Sequence, residues 1–223
     1  MSWSRPVLAA IFDMDGLLID SEPLWERAEM DVLGTLKLDL SKRSELPDTL
    51  GLRIDQVVRM WFETMPWNGP DQQEITQRII NRTLDLIDET QPLLPGVQQA
   101  LRLCKAEGLK IGLASASPLY MLERVLKMFN LRDYFEVLVS AETLPYSKPH
   151  PQVYLDAAAQ LGVDPLNCVT LEDSFNGMIA TKAARMRSIV VPAADFATDP
   201  RWALAEVKLS SLNELTSAAL LGQ

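Results

Sequence analysis

Six apolar residues, Val7 to Phe12, run without a break into Asp13-Met14-Asp15-Gly16. A run of this kind reads as a parallel strand buried on both faces. It stops at two carboxylates spaced by one residue, and charges at the mouth of a buried strand are unfavourable unless something pairs with them. A metal ion is the obvious partner, although a strand followed by a polar turn would leave the same trace. Asp13 is read as projecting from the strand end. Asp15 is read as lying on the loop, where Gly16 lets the backbone bend sharply.

The remainder of the chain has two grammars. Ser21 reads as the N-cap of a helix with Pro23 in its first turn. From there to about Thr90 the apolar spacing is helical throughout. Leu24, Ala28, Val32 and Leu36 recur at four-residue intervals, then Ile54, Val58 and Phe62, then Ile75, Ile79, Thr83 and Leu86. This predicts an all-helical insert of roughly four helices, punctuated by Pro47, Pro66, Gly69 and Pro70. After Gly96 helices alternate with apolar runs. Strands are expected at Leu109–Ala114, Phe135–Val139, Cys168–Leu171 and Ser188–Val191, with a weak one at Val207–Leu209. Helices are expected between them, at Val97–Ala106, Pro118–Phe129, Pro151–Leu161 and Phe175–Ala184. Alternation of this kind implies an α/β fold, a Rossmann-like doubly wound parallel sheet covered on both faces. The expected division is a core of residues 1–16 and 93–223, with a small α-helical cap of residues 17–92 inserted in it.

Folds of this class bind ligands beyond the C-terminal ends of their strands, so those ends carry the functional reading. The second strand runs into Ser115-Ala116-Ser117-Pro118. Ser117 reads as a helix N-cap and Pro118 as the first helical residue, which puts Ser115 and the Ala116 amide at an anion-binding position. Simple capping would look the same. After the third strand comes Ser147-Lys148-Pro149-His150-Pro151. Proline restricts the backbone of the lysine before it and so can aim Lys148, whereas a solvated turn is the usual fate of a lysine. His150 is the only histidine and reads as structural. The fourth strand ends in Glu172-Asp173-Ser174. Together the four ends supply carboxylates for a hard cation, donors for a phosphate and a lysine to bridge the charges.

The chain carries a net charge of −9 and no basic cluster, which argues against nucleic acid as a partner. A small anionic substrate stays compatible, because a bound divalent cation reverses the local field. No apolar run approaches the ~18 residues of a membrane span, and Met1 to Pro6 lack the core of a signal peptide. A cytoplasmic monomer is expected. Cys104 and Cys168, far apart in apolar contexts, are read as buried thiols.

Taken in order, Asp13-Met14-Asp15-Gly16, Ser115, Lys148 and Glu172-Asp173 resemble the four motifs of the haloacid dehalogenase superfamily, and the insert resembles the small helical cap of its subclass I. Phe12 to Glu22 and Leu113 to Ser117 look most like its sugar-phosphate phosphatases. The resemblance implies hydrolysis of hexitol or hexose phosphates, such as 2-deoxyglucose 6-phosphate, through an aspartyl phosphate. Asp13 would be the nucleophile, and Asp15 would be the acid and then the base. Mg²⁺, or alternatively Mn²⁺ or Co²⁺, would be held by Asp13, the Asp15 carbonyl and Asp173, with Glu172 acting directly or through the metal's waters. Substrate contacts are implied at Asp13, Met14, Asp15, Ser115, Ala116 and Lys148, and in the cap at Arg53, for which a solvated helix arginine is the plain alternative. Trp25, Trp61 and Trp67 are assigned to the cap core, although they could stack on a sugar. Phe175 stands where the family pattern has a smaller residue.

The resemblance also brings rivals. The dehalogenases lack the second acid of the first motif. The phosphonate-cleaving members use a cap lysine, and this cap has only Lys37 and Lys42. A non-catalytic phospho-ligand-binding protein would have no need of both Asp13 and Asp15. A β-phosphoglucomutase-like phosphomutase is the strongest alternative. Those relatives carry a histidine shortly after the first motif, and Leu17 to Met30 contains none.

Overall fold

The computed structural model describes residues 5–47 and 49–223; Met1 to Ser4, part of the N-terminal reading above, lie outside them. Six strands form one sheet: β1 (Ala9–Phe12), β2 (Lys110–Ser115), β3 (Val137–Ser140), β4 (Cys168–Glu172), β5 (Arg187–Val190) and β6 (Val207–Lys208). Their order is β3-β2-β1-β4-β5-β6, and every pairing is parallel. The chain winds outward from β1 through β2 to β3. It then crosses back to β4 on the other side of β1 and winds outward again. The expected doubly wound α/β core is therefore the observed one, and its topological switch lies at β1.

The apolar run of β1 serves both faces of the sheet. Ala10 and Phe12 belong to the larger hydrophobic cluster, and Ala9 and Ile11 to a second one with Tyr154, Ala157 and Ala158. Alternation along a strand places consecutive side chains on opposite faces, so a run with no polar member is what a central parallel strand requires. Both Cys104 and Cys168 are buried and free.

The chain leaves the sheet after β1 and returns before β2. Asp20 N donates to Pro92 O at 2.8 Å, and Leu94 N donates to Leu18 O at 2.9 Å. The two crossing segments thus bind each other, and α1 (Glu22–Gly34), α2 (Ile54–Thr64) and α3 (Gln72–Thr90) lie between them. The insert has three α-helices where roughly four were expected. Leu40–Glu45 forms a 3-10 segment instead, too short and polar to present an apolar face of its own. The helices α4 (Val97–Ala106), α5 (Leu119–Met128), α6 (Gln152–Leu161) and α7 (Phe175–Ala183) cover the sheet, and α8 (Ser217–Leu221) closes the chain. Among the described residues no helix is long and apolar enough to cross a membrane.

Candidate active site

In the sheet register Phe12 lies beside Leu113 on β2 and Leu171 on β4. Asp13 N donates to Leu171 O at 3.0 Å and carries β1 one residue further. Asp13 therefore arrives next to the end of β4, where Glu172 and Asp173 stand. Single oxygens of Asp13, Glu172 and Asp173 lie within 4.8 Å of one another. Asp173 Oδ1 is buried and makes no hydrogen bond among the described residues, and Asp13 Oδ1, also buried, has the Lys148 ammonium 2.9 Å away. Burial holds the Asp13 carboxyl up at about 8, although the Lys148 ammonium pulls it down. Burial, then the charges of Glu172 and Asp13, also push Asp173 well above the usual carboxylate range. A desolvated Asp173 oxygen without a partner, next to the buried Asp13 carboxylate, fits a divalent cation, and the all-oxygen donor set favours a hard one. The approach is tight. A Cβ at Gly16 would fall 2.0 Å from Asp173 Oδ2, and Gly16 has φ +73°, so only glycine serves there.

Glu172 belongs to this cluster by distance but is turned to other work. Its Oε1 accepts from Lys148 Nζ at 2.6 Å and from the Tyr154 hydroxyl. Its Oε2 accepts from Ser174 Oγ at 3.2 Å and from the amides of Asp173 and Ser174. With both oxygens engaged, Glu172 is a support for Lys148 more than a free ligand. A Cβ at Gly177 would land 2.0 Å from this carboxylate, so the first turn of α7 must be bare there. Lys148, 1% exposed, stands 2.9 Å from Asp13 Oδ1 at an ion-pair distance. Burial would lower its pKa, but Asp13 and Glu172 outweigh that and hold it raised. Lys148 is thus a fixed positive charge behind Asp13, not a solvated turn residue.

Asp15 is not part of the three-carboxylate group. Its Oδ1 accepts from Ser21 Oγ at 2.7 Å and from Trp25 Nε1 at 2.9 Å. Its Oδ2 accepts from Ser117 Oγ at 2.7 Å and from Ser115 Oγ at 3.3 Å. Two sequence expectations change here. Ser21 occupies the N-cap position of α1 without a side-chain capping bond. Pro118, not Ser117, is the N-cap of α5, and the Leu119 amide is satisfied by Glu142 Oε2 at 2.9 Å. Both serine hydroxyls go to Asp15, a stronger attraction for an O–H than a neutral backbone group. Trp25 is the residue that the sequence reading missed as a polar participant. Its signal is position: an indole near the start of the helix that follows the first motif.

Asp13, Asp15, Gly16, Trp25, Ser115, Ala116 and Asp173 line a cavity of about 830 Å³ that continues under α1 and α2. Three expected substrate contacts do not line it: Lys148 stands behind Asp13, and Met14 and Arg53 are engaged elsewhere. The Met14 side chain is fully buried in the core, so only its backbone is left for a ligand. Arg53 turns outward from the cavity. It grips Asp55 with two nitrogens and donates to the carbonyls of Ala141 and Leu144, each at 2.7 Å. Arg53 thus ties the insert to the loop after β3. Trp61 is a core residue, as read, and fully buried; Trp67 is half-buried at the edge of the core, where it meets Phe62 edge-on at 4.7 Å. Phe175 packs edge-on against Trp202 at 6.3 Å, with the Arg201 guanidinium 4.3 Å over its ring. Exposed His150 accepts from the Gln152 amide at 3.3 Å and tilts against Tyr146, a local structural role.

Comparison with known proteins identifies the family. Residues 7–185 match the family model of haloacid dehalogenase-like hydrolases. The chain is 69% identical to hexitol phosphatase B of Escherichia coli, over the full length of both. Among solved structures, it is similar to CbbY of Rhodobacter sphaeroides in complex with phosphate, with a TM-score of 0.84, 27% identity and coverage of 96% of this chain and 99% of that one. A β-phosphoglucomutase of Clostridium difficile matches with a TM-score of 0.80, 25% identity and coverage of 95% and 94%. With the motifs at the strand ends and the match over most of its length, the chain belongs to the haloacid dehalogenase-like hydrolases.

Proposed function

We propose that the protein hydrolyses phosphate monoesters of sugars and sugar alcohols, hexitol and hexose phosphates such as 2-deoxyglucose 6-phosphate among them, through an aspartyl phosphate on Asp13. The observation that carries the chemistry is the separation of two neighbouring aspartates into different surroundings. Asp13 lies among carboxylates against the Lys148 ammonium, while Asp15 is held by four neutral donors at the cavity wall. The full-length likeness to a hexitol phosphatase supports the substrate class.

In this reading an Asp13 oxygen forms a bond to phosphorus as the ester oxygen leaves with a proton from Asp15. Asp15 then takes a proton from the water that attacks the acyl phosphate, which frees Asp13 and inorganic phosphate. Ser115 and the Ala116 amide bind the transferring phosphoryl oxygens, and Lys148 holds Asp13 in place and offsets its charge. Asp13, Asp173 and the Asp15 carbonyl would hold Mg²⁺, or Mn²⁺ or Co²⁺ in its place. That cation supplies positive charge near the phosphoryl oxygens when bound. The reading includes a cytoplasmic monomer.

A phosphomutase is the second reading, favoured by the likeness to a β-phosphoglucomutase. Trp25 weighs against it. An indole N–H donates and cannot accept, so it can hold Asp15 but cannot relay a proton, and Leu17 to Met30 offers no histidine. Phosphate release from a hexitol 6-phosphate, with Mg²⁺ and with chelator, tests the proposal. Asp13→Asn should abolish turnover in a folded protein. A tenth of the wild-type rate in that variant would refute the covalent mechanism. An isomerised sugar phosphate with little free phosphate in the product NMR spectrum would establish the mutase.

A further inference from the structure

Glu29 is a buried charge that the reaction above does not use. It lies on α1, its side chain is 5% exposed, and it lines the cavity together with Arg43. Both of its partners meet the same oxygen. Trp61 Nε1 donates to Oε2 at 3.1 Å, and Arg43 Nη1 pairs with Oε2 at 3.4 Å. Among the described residues Oε1 has no hydrogen-bond partner. Burial pushes the Glu29 carboxyl up, against the pull of Arg43 and Trp61. An ion pair serving only to tie the 3-10 segment to α1 would be no better than apolar packing. Nor would it leave a carboxylate oxygen unused beside a cavity.

The helix sets the distance between this pair and the chemistry. Trp25 on α1 touches Asp15. Glu29 is four residues further, on the same face and about 6 Å along the axis. On the facing helix, Ile54 and Val57 give the cavity an apolar wall, and Trp61, one turn on, anchors Glu29. A leaving alcohol whose ester oxygen sits near Asp15 would bring its hydroxyls, a few carbons away, to Glu29 and Arg43. Each hydroxyl is both a donor and an acceptor, and an unpaired carboxylate oxygen next to a guanidinium offers the complementary set.

We propose that Glu29 and Arg43 form a subsite for the hydroxyls of the leaving alcohol, with Glu29 Oε1 accepting from them and Arg43 donating to them. The inference rests on the sugar-phosphatase reading and assigns the residues that tell a long polyol phosphate from a short one.

The test is a chain-length series: acetyl phosphate, glycerol 3-phosphate, erythritol 4-phosphate and sorbitol 6-phosphate, with wild type, Glu29→Gln and Arg43→Gln. Glu29→Gln keeps the side-chain shape but replaces an acceptor-only group. Its kcat/KM for sorbitol 6-phosphate should fall about ten- to a hundredfold, mostly through KM, as for loss of a charge-assisted hydrogen bond. Acetyl phosphate, with no hydroxyl to bind, should stay within about twofold, and the penalty should grow with chain length. Thermal unfolding checks that Glu29→Gln folds. If it does not, half-buried Arg43 supplies the same split through Arg43→Gln. An equal loss on every substrate would mark a structural role and overturn the subsite, as would no loss on any. Wild-type protein that hydrolyses acetyl phosphate but none of the polyol phosphates would overturn the sugar-phosphate reading itself, and the subsite with it.

Discussion

Trp25→Phe isolates one bond. The phenyl ring keeps most of the aromatic packing at the cavity wall, but the Nε1–H that lies 2.9 Å from Asp15 Oδ1 is gone. Asp15 then keeps Ser21 on Oδ1, and Ser117 with the longer Ser115 contact on Oδ2. A hydrogen bond to a charged group contributes about 1.5–3 kcal/mol, roughly ten- to a hundredfold in rate if all of it is expressed in the transition state. Three donors remain to share the loss, so a fall of about tenfold is expected. It should appear in kcat more than in KM, because the bond orients the proposed acid and base and touches no part of the sugar. The assay is steady-state phosphate release from a hexitol 6-phosphate at saturating Mg²⁺ across pH, with metal affinity measured separately by titration calorimetry. Unchanged metal binding, a lower kcat and an altered pH profile would fit. A kcat within about twofold of wild type with the same pH profile would refute the argument and leave Trp25 as wall.

Two further outcomes can be worked from the structure. Arg53→Met keeps the stem but removes both bonds to the Ala141 and Leu144 carbonyls. Hydrogen exchange at Leu50 to Arg53 should speed up by about tenfold or more in the ligand-free protein; unchanged exchange with a raised KM would return Arg53 to a substrate contact. The proposed metal site should show a pH linkage. Folded Asp13 titrates at about 8 and the unfolded group at 3.8. Between these values the metal-free folded state keeps a proton that the unfolded chain has released, so its stability falls as pH rises. A divalent cation competes with that proton. The melting-temperature difference between Mg²⁺ and chelator should therefore widen from pH 5.5 to 8.5, and a constant or shrinking gap would remove Asp13 from the ligand set.

The parts of this protein that were legible in the sequence are those where one residue's chemistry decides its place. An apolar run ending in paired acids can be read because few arrangements tolerate it, and β1 and β4 both have that form. Lys148 was visible as a candidate through the proline after it. What it does depends on Glu172 and Tyr154, which lie 24 and 6 residues away and meet it only when α6 packs against the sheet. The serines show the same limit from the other side. Ser21 and Ser117 are good N-caps by type, and each stands at or next to a helix start. Capping is a local preference, however, and a carboxylate delivered by a neighbouring loop offers the hydroxyl a charged acceptor. Local rules thus fail around Asp15 because the fold supplies a stronger partner there. Arg53 and Glu29 fail the local reading in opposite senses. A charged residue in a helical insert looks the same whether it faces the cavity, a core loop or solvent. Arg53 was read as a substrate contact or a solvated helix arginine and is instead bound to the loop after β3. Glu29 gave no signal at all, because its meaning comes from Trp61 on the facing helix and from Arg43 in the 3-10 segment. The residues of the proposed reaction stand at the strand ends, where the chain is most constrained. The proposed alcohol subsite depends on contacts between separate elements of the insert, which no single stretch of sequence displays.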